Sequence, residues 1–150
     1  MGAAKAKAKS ETARKATADE AKAGIKAAQT IKVSGKDYLQ VQGRILMFRQ
    51  DHPTGQIHTE YITQGTEPDN PRYLARAIVL VNDKPVSVGH KMVKLDATRG
   101  PGKDWPFEMA ETGAIGRALG ALGYGTLSGD FDEVAADQIA DAPVDPKRKW

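Results

Sequence analysis

Residues 72–81 (RYLARAIVLV) and 86–95 (VSVGHKMVKL) are two apolar, β-branched runs separated by Asn82-Asp83-Lys84-Pro85. Runs of that length with turn residues between them predict an antiparallel strand pair. Period-two alternation then assigns the faces. Ala75 and Ala77 share one face of the first strand, and Ser87 and Gly89 share one face of the second. If those faces coincide, they form a shallow bed on which a helix backbone can lie closely. His90 and Lys94 share a face with Val86, Val88 and Met92, whereas Lys91 points the other way.

The rest of the domain assembles around this pair. Residues 56–63 (QIHTEYIT) alternate and are β-branched, which predicts a third strand. Upstream, residues 38–49 (YLQVQGRILMFR) bring Val41, Ile45 and Phe48 to helical spacing. That helix ends at Asp51-His52-Pro53-Thr54-Gly55, where Pro and Gly stop it. Two polar loops follow, 64–71 (QGTEPDNP) and 96–104 (DATRGPGKD). Residues 106–123 form the last helix, opened by Pro106 and closed by Gly123 and Gly125. The fold class is therefore α+β. It is an antiparallel three-stranded meander with a long helix packed on one face (a β-β-β-α core), flanked by an N-terminal helix and disordered tails.

Charge separates the tails from this core. Residues 1–26 carry seven bases against three acids, and residues 127–146 carry six acids and no base. Lys147-Arg148-Lys149-Trp150 ends the chain with three more cations, leaving residues 27–126 at only +2. Residues 1–28 are almost an Ala/Lys alphabet, with too little apolar surface to offset the entropy of ordering. They read as a disordered basic arm in which helicity is transient, either solubilising or touching phosphates. The domain spans 29–126, and 127–150 is an acidic tail with a basic tip.

With no cysteine, disulfides, thiolate nucleophiles and sulfur metal sites are excluded, and a reducing, cytoplasmic home is expected. No apolar run approaches the roughly 18 residues of a membrane span. His52, His58 and His90 lack metal-ligand spacing with one another, and no phosphate loop of the Walker type occurs. Glu108 and Glu111 could form a carboxylate pair for a metal, but no His or Asp nearby completes it. Service at the positive end of the helix, or pairing with a strand cation, is the plainer role. Neither enzyme activity nor a cofactor, metal or small-molecule substrate is expected.

The last helix holds the most unusual pattern. At 100° per residue, Ile115, Ala118, Leu119 and Leu122 gather on one side, with Phe107 and Ala114 near its edge. Arg117 falls roughly opposite Ile115, flanked by Ala110, Gly113, Gly120 and Ala121. Gly113, Gly116 and Gly120 each cost up to about 1 kcal/mol of helix stability relative to Ala, so close approach of another backbone or a ligand is implied. Two readings fit: a helix packing surface with Arg117 in a structural ion pair, or contact of Arg117 with a phosphate or partner.

The run from Ala110 to Tyr124 (AETGAIGRALGALGY) resembles the helix signature of single-strand annealing proteins, phage-type annealing proteins related to the eukaryotic recombination mediator of the RAD group. The specific similarity covers about fifteen residues, and the β-β-β-α order extends it from Gln56 to Gly125. The resemblance implies single-stranded DNA binding and ATP-independent annealing, in phage-type recombination or repair. It also implies a homo-oligomeric ring or filament. By position, Arg117 matches the family's DNA-contacting arginine. Where the eukaryotic helix carries a Lys and a second Arg, this chain has Gly116 and Gly120, so other bases would supply charge. The candidates are Lys91 and Lys94, Arg76, and Arg99 and Lys103 in the Gly-rich loop, whose backbone can approach phosphates closely. Tyr61, Tyr73 and Trp105 are candidates for base stacking or for core and interface packing. Two alternatives remain: a strand-coating protein without annealing activity, and an oligomeric scaffold that ignores nucleic acid.

Overall fold

A computed structural model describes residues 2–33, 36–62, 72–94 and 105–125, apart from the side chains of residues 2–10, 33 and 36. The elements are α1 (Gly2–Gln29), β1 (Thr30–Val33), β2 (Lys36–Leu39), α2 (Val41–Asp51), β3 (Gln56–Ile62), β4 (Arg72–Val81), β5 (Lys84–Lys94) and α3 (Pro106–Ala121). The expected helix, three-strand meander and helix are present as α2-β3-β4-β5-α3, with strand order β3-β4-β5 and both pairs antiparallel. Both polar loops and the acidic tail lie outside the described residues.

Local chemistry explains the central hairpin. Asn82 and Asp83 both have positive φ, at 51° and 60°. Two such residues make the tight connection whose twist suits a hairpin, and Asn and Asp tolerate that backbone better than other L-residues. Leu80 pairs with Pro85 and Val79 with Ser87, so Val86 is a bulged extra residue on β5. Pro85 is tolerated because β5 is an edge strand.

Two expectations upstream need correction. Tyr38 and Leu39 do not begin the helix; they end β2, which pairs with β1 from Thr30↔Leu39 to Val33↔Lys36. Gln40 breaks the run with an extended backbone and donates its N–H to the Gln29 carbonyl (3.0 Å), so α2 starts at Val41. Residues 2–29 are a helix rather than an arm with transient helicity. For its carboxy-terminal end the reason is tertiary. A Cβ on Gly43 of α2 would stand 2.6 Å from the Gln29 Cβ, so the two helices approach where neither has bulk between them. Lys22 also forms an ion pair with Asp51 at the end of α2. Docking of this kind stabilises a helix beyond its own propensity.

The core lies between α3 and one sheet face, closed at one end by α2. Phe48, Ala75, Ala77, Val79, Ala110, Ala114, Ala118 and Leu119 are buried there, with Ile45, Ile57, Ile115, Leu122 and Tyr124 packed around them. Register puts Ala77 beside Gly89 and Val79 beside Ser87, so the two small-residue faces coincide. A Cβ on Gly89 would collide with the backbone of Ala114 and Ala118, and Ser87 Oγ donates to the Ala118 carbonyl at 2.7 Å. The helix lies directly on the sheet there.

The end of α3 is set by Gly123, at φ 93°. Its N–H bonds to the Gly120 carbonyl (3.0 Å) and that of Tyr124 to the Leu119 carbonyl (3.0 Å), closing the helix in a Schellman motif. Tyr124 then meets Phe48 edge-on, ring centres 5.9 Å apart, and donates its hydroxyl to Asp51 (2.7 Å).

Candidate functional site

The bed beneath α3 accounts for several of its small residues. Ala110, Ala114 and Ala118, four apart, form the stripe pressed against the sheet, with Met109 and Leu119 beside it. Ile115 and Leu122, expected at the centre of the core face, are only partly buried. Ala110 and Gly113, expected to flank Arg117 on its open side, are buried instead. Only Ala121 of that set is exposed.

Gly116 and Gly120 face a cation that sequence reasoning passed over. Arg44 of α2 is 5% exposed. Its Nε donates to the Leu39 carbonyl (3.1 Å) and its Nη1 to the Gly116 carbonyl (2.9 Å), while the guanidinium lies 5.4 Å from the centre of the Tyr38 ring. A Cβ on Gly120 would be 3.6 Å from Nη1. Burial lowers the Arg44 pKa to about 10, so the group remains a cation at neutral pH. A lone Arg inside QVQGRILMF was the available sign in the sequence.

Arg117 leaves the other flank of α3, half-buried, and its Nη1 donates to the His90 carbonyl of β5 at 2.9 Å. Partial burial lowers its pKa too. Lys91, the next residue along β5, faces α3 from opposite Ala75 and is 8% exposed. The fold therefore brings Arg117 and Lys91 into one seam between α3 and the edge strand β5.

Lys94 and Arg76 stand on the opposite sheet face. Lys94 is the cross-strand partner of Arg72, and Arg76 lies between Glu60 and His90. Arg76 forms an ion pair with Glu60. Arg99 and Lys103 lie outside the described residues. The four described basic candidates thus divide into a seam pair and an open-face pair.

The amino end of α3 has a different character. Glu108 occupies its first turn, and Glu111 accepts a hydrogen bond from Thr59 Oγ1. The positive helix end is thereby supplied with carboxylates and is poorly suited to phosphate. Phe107 gathers the nearby rings, with its centre 5.6 Å from Tyr61 and 4.1 Å from Tyr73. Burial, then the charges of Glu111 and Glu108, push the Tyr61 pKa up. Trp105 is 61% exposed, and Tyr61 and Phe107 are also surface rings. Among the described residues no three His, Asp or Glu side chains gather to hold a metal ion. Nor is any described helix long and apolar enough to cross a membrane.

Comparison with known proteins places the chain at the level of a family. The family model described as Slr1353 N-terminal dsRNA-binding domain-like matches residues 45–122, just over half of the 150. Those bounds run from inside α2 to the residue after α3, which is the whole sheet-and-helix body. No curated protein and no solved structure matches the chain.

Proposed function

The chain belongs to the Slr1353 N-terminal dsRNA-binding domain-like family, and on that premise we propose that its α2-β3-β4-β5-α3 body binds nucleic acid along the seam between α3 and β5. The observation that carries this reading is Arg117, fixed by the His90 carbonyl beside the nearly buried Lys91. Such a pair meets phosphates without sequence preference, with Arg99 and Lys103 of the 96–104 loop extending the contact.

The finer reading is a single strand, held with its bases exposed so that complementary strands anneal without ATP, cofactor or covalent chemistry. Several copies would act together as a homo-oligomer in a cytoplasmic setting, in recombination or repair. Two features support a single strand over a duplex. Exposed Trp105, Tyr61 and Phe107 offer ring faces that unpaired bases can stack on, at about 1–3 kcal/mol per base in known cases. The resemblance of the Ala110–Tyr124 run to annealing proteins points the same way.

A duplex-RNA reading is favoured by the family's own description. Double-stranded RNA domains span about 16 base pairs by shape and phosphate contact. Against that use stand Glu108 and Glu111 at the amino end of α3.

The test is a salt series with labelled single-stranded DNA, single-stranded RNA and duplex RNA. The expected result is single-strand affinity that falls steeply with salt, and a slope reduced by about 1 in Arg117→Ala. Preference for duplex RNA would replace the first reading by the second. Absence of binding at low salt would end both. Mixing complementary strands with and without protein separates annealing from coating.

A further inference from the structure

The sheet has two outer strands, and their edges are finished differently. β5 carries Pro85, a bulge at Val86 and three lysines (Lys84, Lys91, Lys94), and its His90 carbonyl accepts from Arg117. Proline, bulges and lysine are devices that keep an edge strand from pairing further. β3 has none of them. Its seven residues, Gln56–Ile62, contain no Pro, Gly or Lys and pair with β4 in unbroken register. Among the described residues no strand lies along its outer side, since β1 and β2 form a separate sheet. His58, Thr59, Glu60 and Tyr61 are exposed there.

The strand is also complementary to itself. Two copies of one strand can pair antiparallel about a two-fold axis normal to the sheet, and side chains then meet others of the same face. A centre at Thr59 uses all seven residues. It sets Thr59 against its own copy, His58 against Glu60, Ile57 against Tyr61 and Gln56 against Ile62. Thr with Thr, an imidazole with a carboxylate, and a β-branched chain with an aromatic ring are favourable cross-strand pairs. Neighbouring centres match less well. At Glu60 the carboxylate faces its own copy, at His58 the imidazole does, and each pairs fewer residues. Existing bonds leave room for the match. Glu60 holds Arg76 through Oε1, and a carboxylate accepts more than one donor. His58 Nε2 lies 2.9 Å from Gln56 Oε1, and the ring has a second nitrogen.

The helices do not obstruct such a pairing. α3 rests chiefly on β4 and β5. In a joined sheet the two β4–β5 pairs stand four strand spacings apart, about 19 Å, against about 10–12 Å for the width of a helix.

We propose that two copies of the chain pair antiparallel through β3, about a two-fold axis at Thr59, to form one continuous six-stranded sheet. The interface is isologous and closes at two copies. It sets the two α3–β5 seams at opposite edges of one sheet. The pairing needs no nucleic acid, so it stands or falls apart from the binding reading above.

The test uses the full-length protein without nucleic acid. Sedimentation over a concentration series should show a reversible dimer. His58→Glu and Glu60→Lys each place like charges across the interface, twice by symmetry, so each alone should weaken the dimer about ten-fold or more. Mixing the two variants restores opposite charges at both places and should restore the dimer, while unchanged thermal melts confirm that each variant is folded. The absence of cysteine in the natural chain permits a check of register. Thr59→Cys sits on the axis, with Cα atoms about 4.5–5.5 Å apart, and should link to its own copy on mild oxidation. Ile62→Cys stands about 20 Å from its own copy and should not, but it should link to Gln56→Cys when the two are mixed. A single-chain mass at every concentration would overturn the proposal. So would a dimer in which Thr59→Cys and Ile62→Cys link equally, or one that His58→Glu and Glu60→Lys leave unchanged.

Discussion

The two faces of the three-stranded sheet are built on opposite terms. Under α3, small residues (Ala75, Ala77, Gly89) let a helix backbone lie against a strand backbone, and the contact is complete within the chain. On the other side, larger apolar residues and cations stand at the surface, with Val86, Val88 and Met92 each close to half exposed. The covered face shows how this chain stabilises itself. The open face is where apolar and basic side chains stand at or near the surface instead. The arginines repeat the contrast. Arg44 is buried against carbonyls of its own chain, whereas Arg117 stands half-buried at the border between α3 and the sheet edge.

The sharpest way to break this contrast is Gly89→Val. The added side chain meets helix backbone, which cannot swing aside, so a loss of about 3 kcal/mol is expected, read as a lower denaturant midpoint. A near-neutral result would mean that α3 does not lie tightly on β5.

Arg44→Met comes next. It leaves the Leu39 and Gly116 carbonyls without a buried donor, an expected cost of about 2–3 kcal/mol. Oligonucleotide affinity of the folded fraction should keep its salt dependence, in contrast to Arg117→Ala. Were both variants to flatten the salt dependence alike, the division between a structural and a functional arginine would fail.

Asp51 gives a smaller, pH-dependent effect. Burial pushes its pKa up, but hydrogen bonds from Lys22 and Tyr124 and the charges of Lys22 and His52 outweigh that, and the net shift is downward. A carboxyl depressed in the folded state contributes stability above its unfolded value. That contribution is lost as pH falls through the lower, folded value. Amide exchange in α1 and at the end of α2 should therefore quicken below about pH 4. Asp51→Asn should remove the acid response at a cost under about 1 kcal/mol, as for an exposed pair.

The smallest effect is expected on the open face. Val88→Thr should change folding stability by less than about 0.5 kcal/mol, because Val88 is 48% exposed. Thermal melts of this variant beside Gly89→Val compare adjacent positions on opposite faces of one strand. A large loss at Val88 would show that the open face contributes to folding on the same scale as the covered one.

The sequence by itself determined what depends on neighbours along the chain. The bounds of β4 follow from its alternation, the turn from Asn82-Asp83, and the span of α3 from Pro106 and Gly123. The pairing of Ala77 with Gly89 follows once the turn sets the register. Four-residue strands such as β1 and β2 are too short to show a period, and Tyr38-Leu39 merged into the apolar run of the next helix. Only the tertiary structure decided which arginine is buried and which stands in the seam. Helical periodicity assigns a residue to a face but does not say what that face meets. The Arg44 bond to Gly116 closes across 72 residues, and Lys22 meets Asp51 only because Gly43 lets α1 come near. Contacts at such separation are fixed by packing volume and by the need to pair buried polar groups, neither of which leaves a local pattern.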